Sequence, residues 1–427
     1  LSRKRKYPPF PFGSPHCDTL GSTLPQVFWS FVLLCFYLSL SLCFSLFCFI
    51  TLQIPLEHLR QEARKKIPLF PLSSAPPLRH LPPSSHFDIP NTHDMATQDP
   101  HVISQLVKTL ESASKAKKGE TKFTCKKASF TVANNVPVDS WRFQDWDYKR
   151  DGLPTHARGI FTTRRKDGTP EIATRGYDKF FNVGETKATE WRNIEKNTRG
   201  PYELSVKENG CIIFISALED DNLLVCSKHS TGAREDTPVS HAQAGERWVE
   251  RHVSSVNRSV KDLARTLRKM NVTAVGELCD DSFEEHVLAY DESSSGIYLH
   301  GLNYNQPYFH TMSCEDVHKF ADDWGFKKAK FEVFDDIFRV QSFLEGCAET
   351  GTWAGRETEG FVIRCNLSDN GTGPYRNWFF KYKFEEPYLM YRQWRECTKA
   401  VIGGKLPKIR KHEQITEEYL QFARRVL

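Results

Sequence analysis

A short charged turn between two apolar runs is the feature that most restricts the fold of this chain. Residues 202–206 and 211–215 are each typical of a β-strand, and Lys207-Glu208-Asn209-Gly210 separates them. Short runs rich in β-branched and aromatic residues, broken by polar residues and glycine, predict paired strands. The chain is therefore expected to build a sheet that holds a lysine at a strand end.

A lysine in that position has chemical consequences. Apolar strand ends remove water from its ammonium group, so we expect the amine of Lys207 to be partly neutral and able to attack phosphorus. Gly210 is expected to let the backbone pass close to a nucleotide. The K-x-x-G pattern by itself is more often a surface lysine before a turn, so the interpretation depends on other motifs.

Two downstream segments supply the other groups that nucleotidyl transfer needs. Glu359-Gly360 enters an apolar strand at 361–365, and Lys381 and Lys383 alternate along a later strand, so that both should face the same side. Glu277 is a second carboxylate on an apolar strand. An amine nucleophile, cations for phosphates and a carboxylate for Mg²⁺ together predict transfer of a nucleotide through a lysine-bound intermediate.

Composition bounds the class of protein. With 427 residues and 39% hydrophobic content, the chain has room for two or three domains. Its net charge of +5 suits a polyanionic partner without proving one. Twelve cysteines occur without a C-x-x-C pair, and several fall in apolar runs, so the sequence predicts neither a zinc site nor a disulfide framework. The same cysteine usage predicts a reducing compartment.

The first 94 residues differ from the rest. They contain an uncharged apolar run at 27–54 that is long enough for a transmembrane helix, and Met95 is the first methionine. We interpret residues 1–94 as a non-native leader or disordered extension produced by the gene model, with a membrane anchor as the alternative. The protein is then expected in the nucleus or cytoplasm, as a monomer without a stable membrane partner.

Residues 95–385 are expected to form one α+β domain of mostly antiparallel sheets with flanking helices, and 386–427 a small all-helical module. Apolar residues spaced along 248–270 predict a single packing helix. A cluster of Trp141, Phe143, Trp146 and Tyr148 predicts a core, with a base-stacking platform as the alternative.

Several longer motifs point to a family. Residues 158–161 (RGIF) and 175–182 (RGYDKFFN), and Lys228 within SKHSTG, resemble the phage-type RNA ligase 1 group of the covalent nucleotidyltransferase superfamily. Residues 141–150 (WRFQDWDYKR), 277–290 (ELCDDSFEEHVLAY) and 379–398 resemble the ligase domain of fungal tRNA ligases. The resemblance runs from about residue 95 to the end of the chain.

The resemblance implies a nucleotidyltransferase (ATP-grasp-like) fold and a three-step reaction with ATP and Mg²⁺. Lysyl-AMP forms first, AMP then moves to an RNA 5′-phosphate, and a 3′-hydroxyl beside a 2′-phosphate displaces it. The implied substrates are tRNA exon halves and a messenger RNA cut during the unfolded-protein response. Full-length members carry kinase and cyclic phosphodiesterase domains; this chain has no G-x-x-x-x-G-K-[ST] phosphate loop, so we expect it to seal ends without repairing them.

The resemblance also assigns roles to residues. Lys207, Glu359, Lys381 and Lys383 are catalytic, and Glu359 is linked to the metal. The nucleotide-binding residues it implies are Arg158, Lys179, Phe181, Glu208, Gly210, Lys228 and Glu277, with 298–302 as an apolar wall for adenine. Arg392 and Arg395 are candidates for the 2′-phosphate. The alternatives are a capping enzyme, a DNA ligase, or a non-catalytic RNA-binding protein of the same fold.

Overall fold

The computed structural model describes residue 95 and residues 97–117, 120–150, 152–284, 286–385, 388–410 and 412–426, all in one compact unit, His86–Leu427. The apolar run 27–54 lies outside the described residues. Within the part that is described, no helix is both long enough and apolar enough to cross a membrane.

The regular elements alternate between strands and helices along the chain. The strands are β1 (Cys125–Val132), β2 (Val136–Phe143), β3 (Ile160–Arg164), β4 (Pro170–Arg175), β5 (Phe181–Asn182), β6 (Thr198–Val206), β7 (Cys211–Ala217), β8 (Leu223–Ser227), β9 (Val272–Cys279), β10 (Gly296–Tyr304), β11 (Lys327–Lys328), β12 (Phe331–Phe334), β13 (Thr352–Trp353), β14 (Arg356–Glu357), β15 (Gly360–Leu367) and β16 (Arg376–Lys383). The α-helices are α1 (Pro100–Lys115), α2 (Trp191–Asn197), α3 (His241–Ser255), α4 (Val260–Met270), α5 (Cys314–Trp324), α6 (Ile337–Thr350), α7 (Tyr388–Ile402) and α8 (Glu413–Val426).

Three larger sheets organise these strands. The first has the order β1-β2-β3-β4, the second β11-β10-β9-β7-β8, and the third β12-β6-β15-β16-β5. Most neighbouring pairs are antiparallel; β10 with β11 and β16 with β5 are parallel. The predicted α+β class of mostly antiparallel sheets with flanking helices is confirmed.

The first sheet carries the aromatic cluster. Trp141, Phe143 and Tyr148 are buried against α1, whose apolar face follows the helical period. Trp146, in contrast, has 61% of its surface exposed. The prediction of a core is therefore confirmed for three of the four rings, and Trp146 is free of that core.

The helix predicted over 248–270 is wrong in one respect, because two helices occupy the segment. α3 ends at Ser255, Asn257 adopts a left-handed conformation with φ of 57°, and the Ser259 hydroxyl accepts the amide hydrogen of Asp262 to begin α4. Both helices still pack their apolar stripes against the second sheet. The spacing of apolar residues predicted the buried face correctly. It could not show the break between α3 and α4, because both helices bury their apolar faces against the same sheet.

The helical end of the chain forms as predicted. α7 and α8 pack together, and the rings of Trp394 and Tyr419 stack with centroids 4.4 Å apart. The Trp394 indole N–H donates to Thr416 on α8. The division into domains at 385 stays a prediction.

Candidate active site

A cavity of about 320 Å³ is lined from both the second and the third sheet. That volume lies in the range of roughly 300–1,000 Å³ typical of small-molecule sites. Eight of the residues singled out from the sequence line it: Arg158, Lys179, Lys207, Glu208, Gly210, Lys228, Glu277 and Lys381. The structure therefore brings together groups that are spread over more than two hundred residues of sequence.

Strand pairing fixes the position of Lys207. It follows the last residue of β6, and its backbone N–H donates to the carbonyl oxygen of Gly360 at the start of β15. Gly360 has a φ of 138°, and a Cβ there would collide with the carbonyl of Tyr382 on β16. Only glycine fits this close crossing of strands, so the Glu-Gly pair sets the carboxylate of Glu359 beside the lysine.

Glu359 is the shared partner of three donors. Its Oε2 lies 2.8 Å from Lys207 Nζ and accepts a hydrogen bond of 2.9 Å from the Asn209 side-chain amide, while Oε1 pairs with Lys383 Nζ. The carboxylate is buried. Burial alone would raise the pKa of Glu359, but Lys207 and Lys383 lower it to about 2, so the group is an anion at neutral pH.

The same pair reverses our expectation for Lys207. Desolvation does act to lower the pKa of Lys207, as the sequence suggested, but the carboxylates of Glu359 and Glu277 more than offset it, and the pKa lies above its ordinary value. In the free protein Lys207 is thus an ammonium ion. The sequence alone did not show how close the Glu359 carboxylate, 152 residues away along the chain, comes to the amine.

A second group of lysines shows the opposite shift. Burial, followed by the charge of Lys179, lowers the pKa of Lys381 to about 8, and burial with Arg158 lowers that of Lys228 to about 8. Burial and Arg158 also lower the pKa of Lys179. We call the side chains of Lys179, Lys228, Lys381 and Arg158 the cation cluster. Their like charges repel one another in the free protein, which is the arrangement expected of a site that receives a polyanion.

Phe181 lies beside this cluster, outside the set of residues that line the cavity. The ammonium groups of Lys179 and Lys149 lie 5.1 and 5.7 Å from its ring centroid. Lys381 stands over Phe180 in the same way, at 5.7 Å. The faces of these rings attract the neighbouring ammonium groups.

Glu208 is held by a hydrogen-bonded network that the sequence did not reveal. Arg356 on β14 donates two hydrogen bonds of 2.9 Å to its carboxylate, and the hydroxyl of Tyr290 donates a third of 2.8 Å. The same hydroxyl accepts the backbone N–H of Asn209. This network holds the residue after Lys207 rigidly in place.

The cavity wall differs in part from the expectation. Gly210 lines the cavity, and a Cβ on it would also collide with the carbonyl oxygen of Leu278 on β9; its approach to a nucleotide stays a prediction. In the stretch 298–302, Leu299 and Leu302 pack into the core beneath the second sheet, whereas His300 lines the cavity. A bulge between Leu299 and Gly301 interrupts the regular alternation of side chains along β10.

Sequence reasoning also missed Arg364 and Tyr177. Arg364 on β15 is 5% exposed and donates to the carbonyl oxygens of His300 and Met312 and to the hydroxyl of Tyr177. Tyr177 stacks on His300 with centroids 5.6 Å apart. An arginine inside an apolar strand was the available signal for this part of the wall.

Arg392 and Arg395 are exposed on α7.

Comparison with known proteins agrees with this geometry. An RNA ligase family profile matches residues 156–389. A tRNA ligase 1 of Schizosaccharomyces pombe is 46% identical over 325 residues, and a tRNA ligase of Candida albicans is 44% identical over 347 residues; these matches take in 71% and 76% of this chain and 41% of each relative. The chain thus spans about two fifths of the length of these relatives.

Among solved structures, an archaeal ATP-dependent RNA ligase superposes with a TM-score of 0.44 and 14% identity over 79% of each chain. An RNA ligase variant of Naegleria gruberi, solved with ATP and Mn, superposes with a TM-score of 0.33 and 15% identity over 50% of this chain and 57% of that one.

Proposed function

The chain belongs to the RNA ligase family, and on that premise we propose that it seals tRNA exon halves with ATP through a lysyl-AMP intermediate on Lys207. The observation that carries the proposal is the juxtaposition of this one strand-end lysine, beside a buried carboxylate, with the cation cluster around the same cavity. A triphosphate in the cavity would have its charge matched by the cluster and its α-phosphorus near the amine.

The first step would join the lysine covalently to the nucleotide. The Lys207 amine attacks the α-phosphorus of ATP, a P–N bond forms, and the bond from that phosphorus to the bridging oxygen of pyrophosphate breaks. Lys207 must first lose a proton, and Glu359, with a pKa of about 2, is too weak a base to keep it. The proton therefore goes to solvent, which reaches the quarter of the Lys207 side chain that is exposed.

We propose that the Glu359 carboxylate helps to hold a magnesium ion that arrives with ATP. Mg²⁺ retains most of its water and commonly uses one or two protein carboxylates together with substrate phosphates, and Glu359 is a buried, ionised carboxylate next to the nucleophile. When bound there, the ion would supply positive charge that stabilises the phosphates. Lys383 and Asn209 hold the orientation of the carboxylate.

We assign adenine to the apolar part of the cavity. Phe180, Phe379 and Val362 present apolar surface there, and His300 and Glu277 supply polar atoms. Planar bases stack well on such rings. Glu208 then acts on the ribose side through its fixed position in the Arg356 and Tyr290 network.

Labelled ATP provides the first test. With a divalent metal, the protein should acquire an acid-labile AMP adduct, and Lys207→Ala should abolish it. Alanine at Glu359, Lys381 or Lys383 should reduce labelling or sealing roughly a hundredfold, the usual scale for one preorganised charged group. Lys319→Ala, an exposed lysine on α5 paired with Glu315, is the matched control and should leave labelling unchanged. Label retained on Lys207→Ala would refute the assignment.

Substrate choice is tested with matched RNA ends. We propose that the 3′ end carries a 2′-phosphate read by Arg392 or Arg395, because a guanidinium can grip a phosphate dianion with two hydrogen bonds. Ends with a 5′-phosphate and a 2′-phosphate should be joined best. Equal joining of 2′-hydroxyl ends would make the protein a general RNA ligase, and preference for GTP over ATP would favour a capping enzyme.

The remaining length of the curated relatives suggests further domains in the full-length protein. We propose that these supply the kinase and cyclic phosphodiesterase activities that prepare the RNA ends. The chain described here, purified alone, should then fail to join 5′-hydroxyl ends even when ATP or GTP is present.

A further inference from the structure

Three potential metal ligands from distant segments converge behind the strand that follows Lys207. Cys211 is the first residue of β7, His241 is the first residue of α3, and Glu284 lies in the segment after β9. One ligand atom from each lies within 4.8 Å of the other two, and His241 Nε2 is 3.0 Å from Glu284 Oε2. None of the three belongs to the proposed nucleotide site.

This donor set matches zinc chemistry. A thiolate, an imidazole nitrogen and a carboxylate oxygen are all ligands that Zn²⁺ accepts in tetrahedral sites, and three protein ligands leave a fourth position for water. The side chains of His241 and Glu284 are 43% and 47% exposed, so an ion can enter from solvent. The ring of His241 meets the edge of Phe283 at 5.4 Å, which restricts its orientation.

The electrostatic surroundings also favour a cation. Three carboxylates, those of Glu277, Glu284 and Asp280, place negative charge around the Cys211 thiol. Asp280 is itself held as an anion by hydrogen bonds from Ser282 and the Trp248 indole. A divalent ion would offset this excess of negative charge.

We propose that Cys211, His241 and Glu284 bind one Zn²⁺ ion, with water as the fourth ligand. On binding, the thiol proton passes to solvent as the Zn–S bond forms. The ion would join the start of β7 and the N-terminus of α3 to the segment that leads to Tyr290. Because Tyr290 bonds Glu208 and Asn209, the site would clamp the backbone that carries the turn after Lys207.

Zinc binding to the whole chain tests the proposal. The reduced protein is titrated with Zn²⁺ against a chromophoric chelator, and with Co²⁺ to detect the thiolate-to-metal absorption band. We expect one tight Zn²⁺ and a thiolate band. Cys211→Ser and His241→Ala should each weaken binding at least about tenfold, since even outer-shell changes cost that much, and Cys211→Ser should also lose the band.

Matched controls separate this site from other thiols and imidazoles. Cys347→Ser, which alters a buried thiol on α6, and His101→Ala, which removes an exposed imidazole on α1, should bind Zn²⁺ like the unaltered protein. Zn²⁺ should also raise the melting temperature of the unaltered protein but not of Cys211→Ser. Absence of stoichiometric binding, or undiminished binding in Cys211→Ser, would overturn the site without bearing on the ligase function.

Discussion

Replacing Glu359 by glutamine should convert Lys207 from a lysine with a raised pKa into one with a lowered pKa. Two unit charges 2.8 Å apart interact with about 6 kcal/mol at an effective dielectric constant of about 20. Lys207 is a quarter exposed and shares the carboxylate with Lys383. We therefore expect loss of the carboxylate to disfavour the charged form of Lys207 by about half of that energy, about 3 kcal/mol, which lowers its pKa.

Competitive acylation followed by mass spectrometry of the Lys207 peptide measures this pKa without ATP or turnover. The unaltered protein should show a midpoint above the ordinary lysine value, because the carboxylate favours the charged form, and Glu359→Gln should show a lower midpoint. Lys319, exposed and paired with Glu315 on the same helix, is an internal reference whose labelling should be the same in both proteins. An unchanged Lys207 midpoint would refute the claim that Glu359 keeps Lys207 protonated.

Three further outcomes follow from the geometry. Triphosphate binding should take up protons near pH 8 and weaken as the pH rises above 8. The reason is that the pKa values of Lys381 and Lys228 are about 8 in the free protein and rise beside an anion. Calorimetry in buffers of different ionisation enthalpy measures the proton uptake, and Lys381→Met should reduce it. Tyr290→Phe removes two buried hydrogen bonds and should lower the free energy of unfolding by about 1–3 kcal/mol in denaturant titrations, whereas Tyr308→Phe, at a 74% exposed ring, should have no measurable effect. A chain beginning at Met95 should label itself with AMP as fully as the longer chain, and loss of labelling would show that residues 1–94 are needed.

The sequence predicted many of the residues that line the cavity, but not how they contact one another. The order of Lys207, Glu359 and Lys381 indicated the reaction, since each sits at a strand end or alternates along a strand. The sequence could not show that β15 lies between β6 and β16, and this pairing puts the carboxylate against the amine and raises the pKa of Lys207. The contact between Arg356 and Glu208 joins residues 148 positions apart, beyond any local pattern.

The break between α3 and α4 escaped prediction for a different reason. The apolar stripe continues across it, because both helices bury the same kind of face against one sheet. Asn257, which tolerates the left-handed conformation, and Ser259, three residues before Asp262, carried the only local signal of a helix end and a new start. The spacing of apolar residues shows which face of a helix is buried, whereas the capping residues show where one helix ends and the next begins.

The order of the third sheet also bears on how the chain is made. β6, which ends at the residue before Lys207, pairs on one side with β12 and on the other with β15, so neither edge can be covered until residues well over a hundred positions later have been synthesised. At roughly 5–20 residues per second, the ribosome leaves this strand unpaired for on the order of ten to thirty seconds. An apolar strand with two open edges is prone to pair with other chains. The strand that ends beside Lys207 is therefore open to pairing with other chains until β12 and β15 have been made.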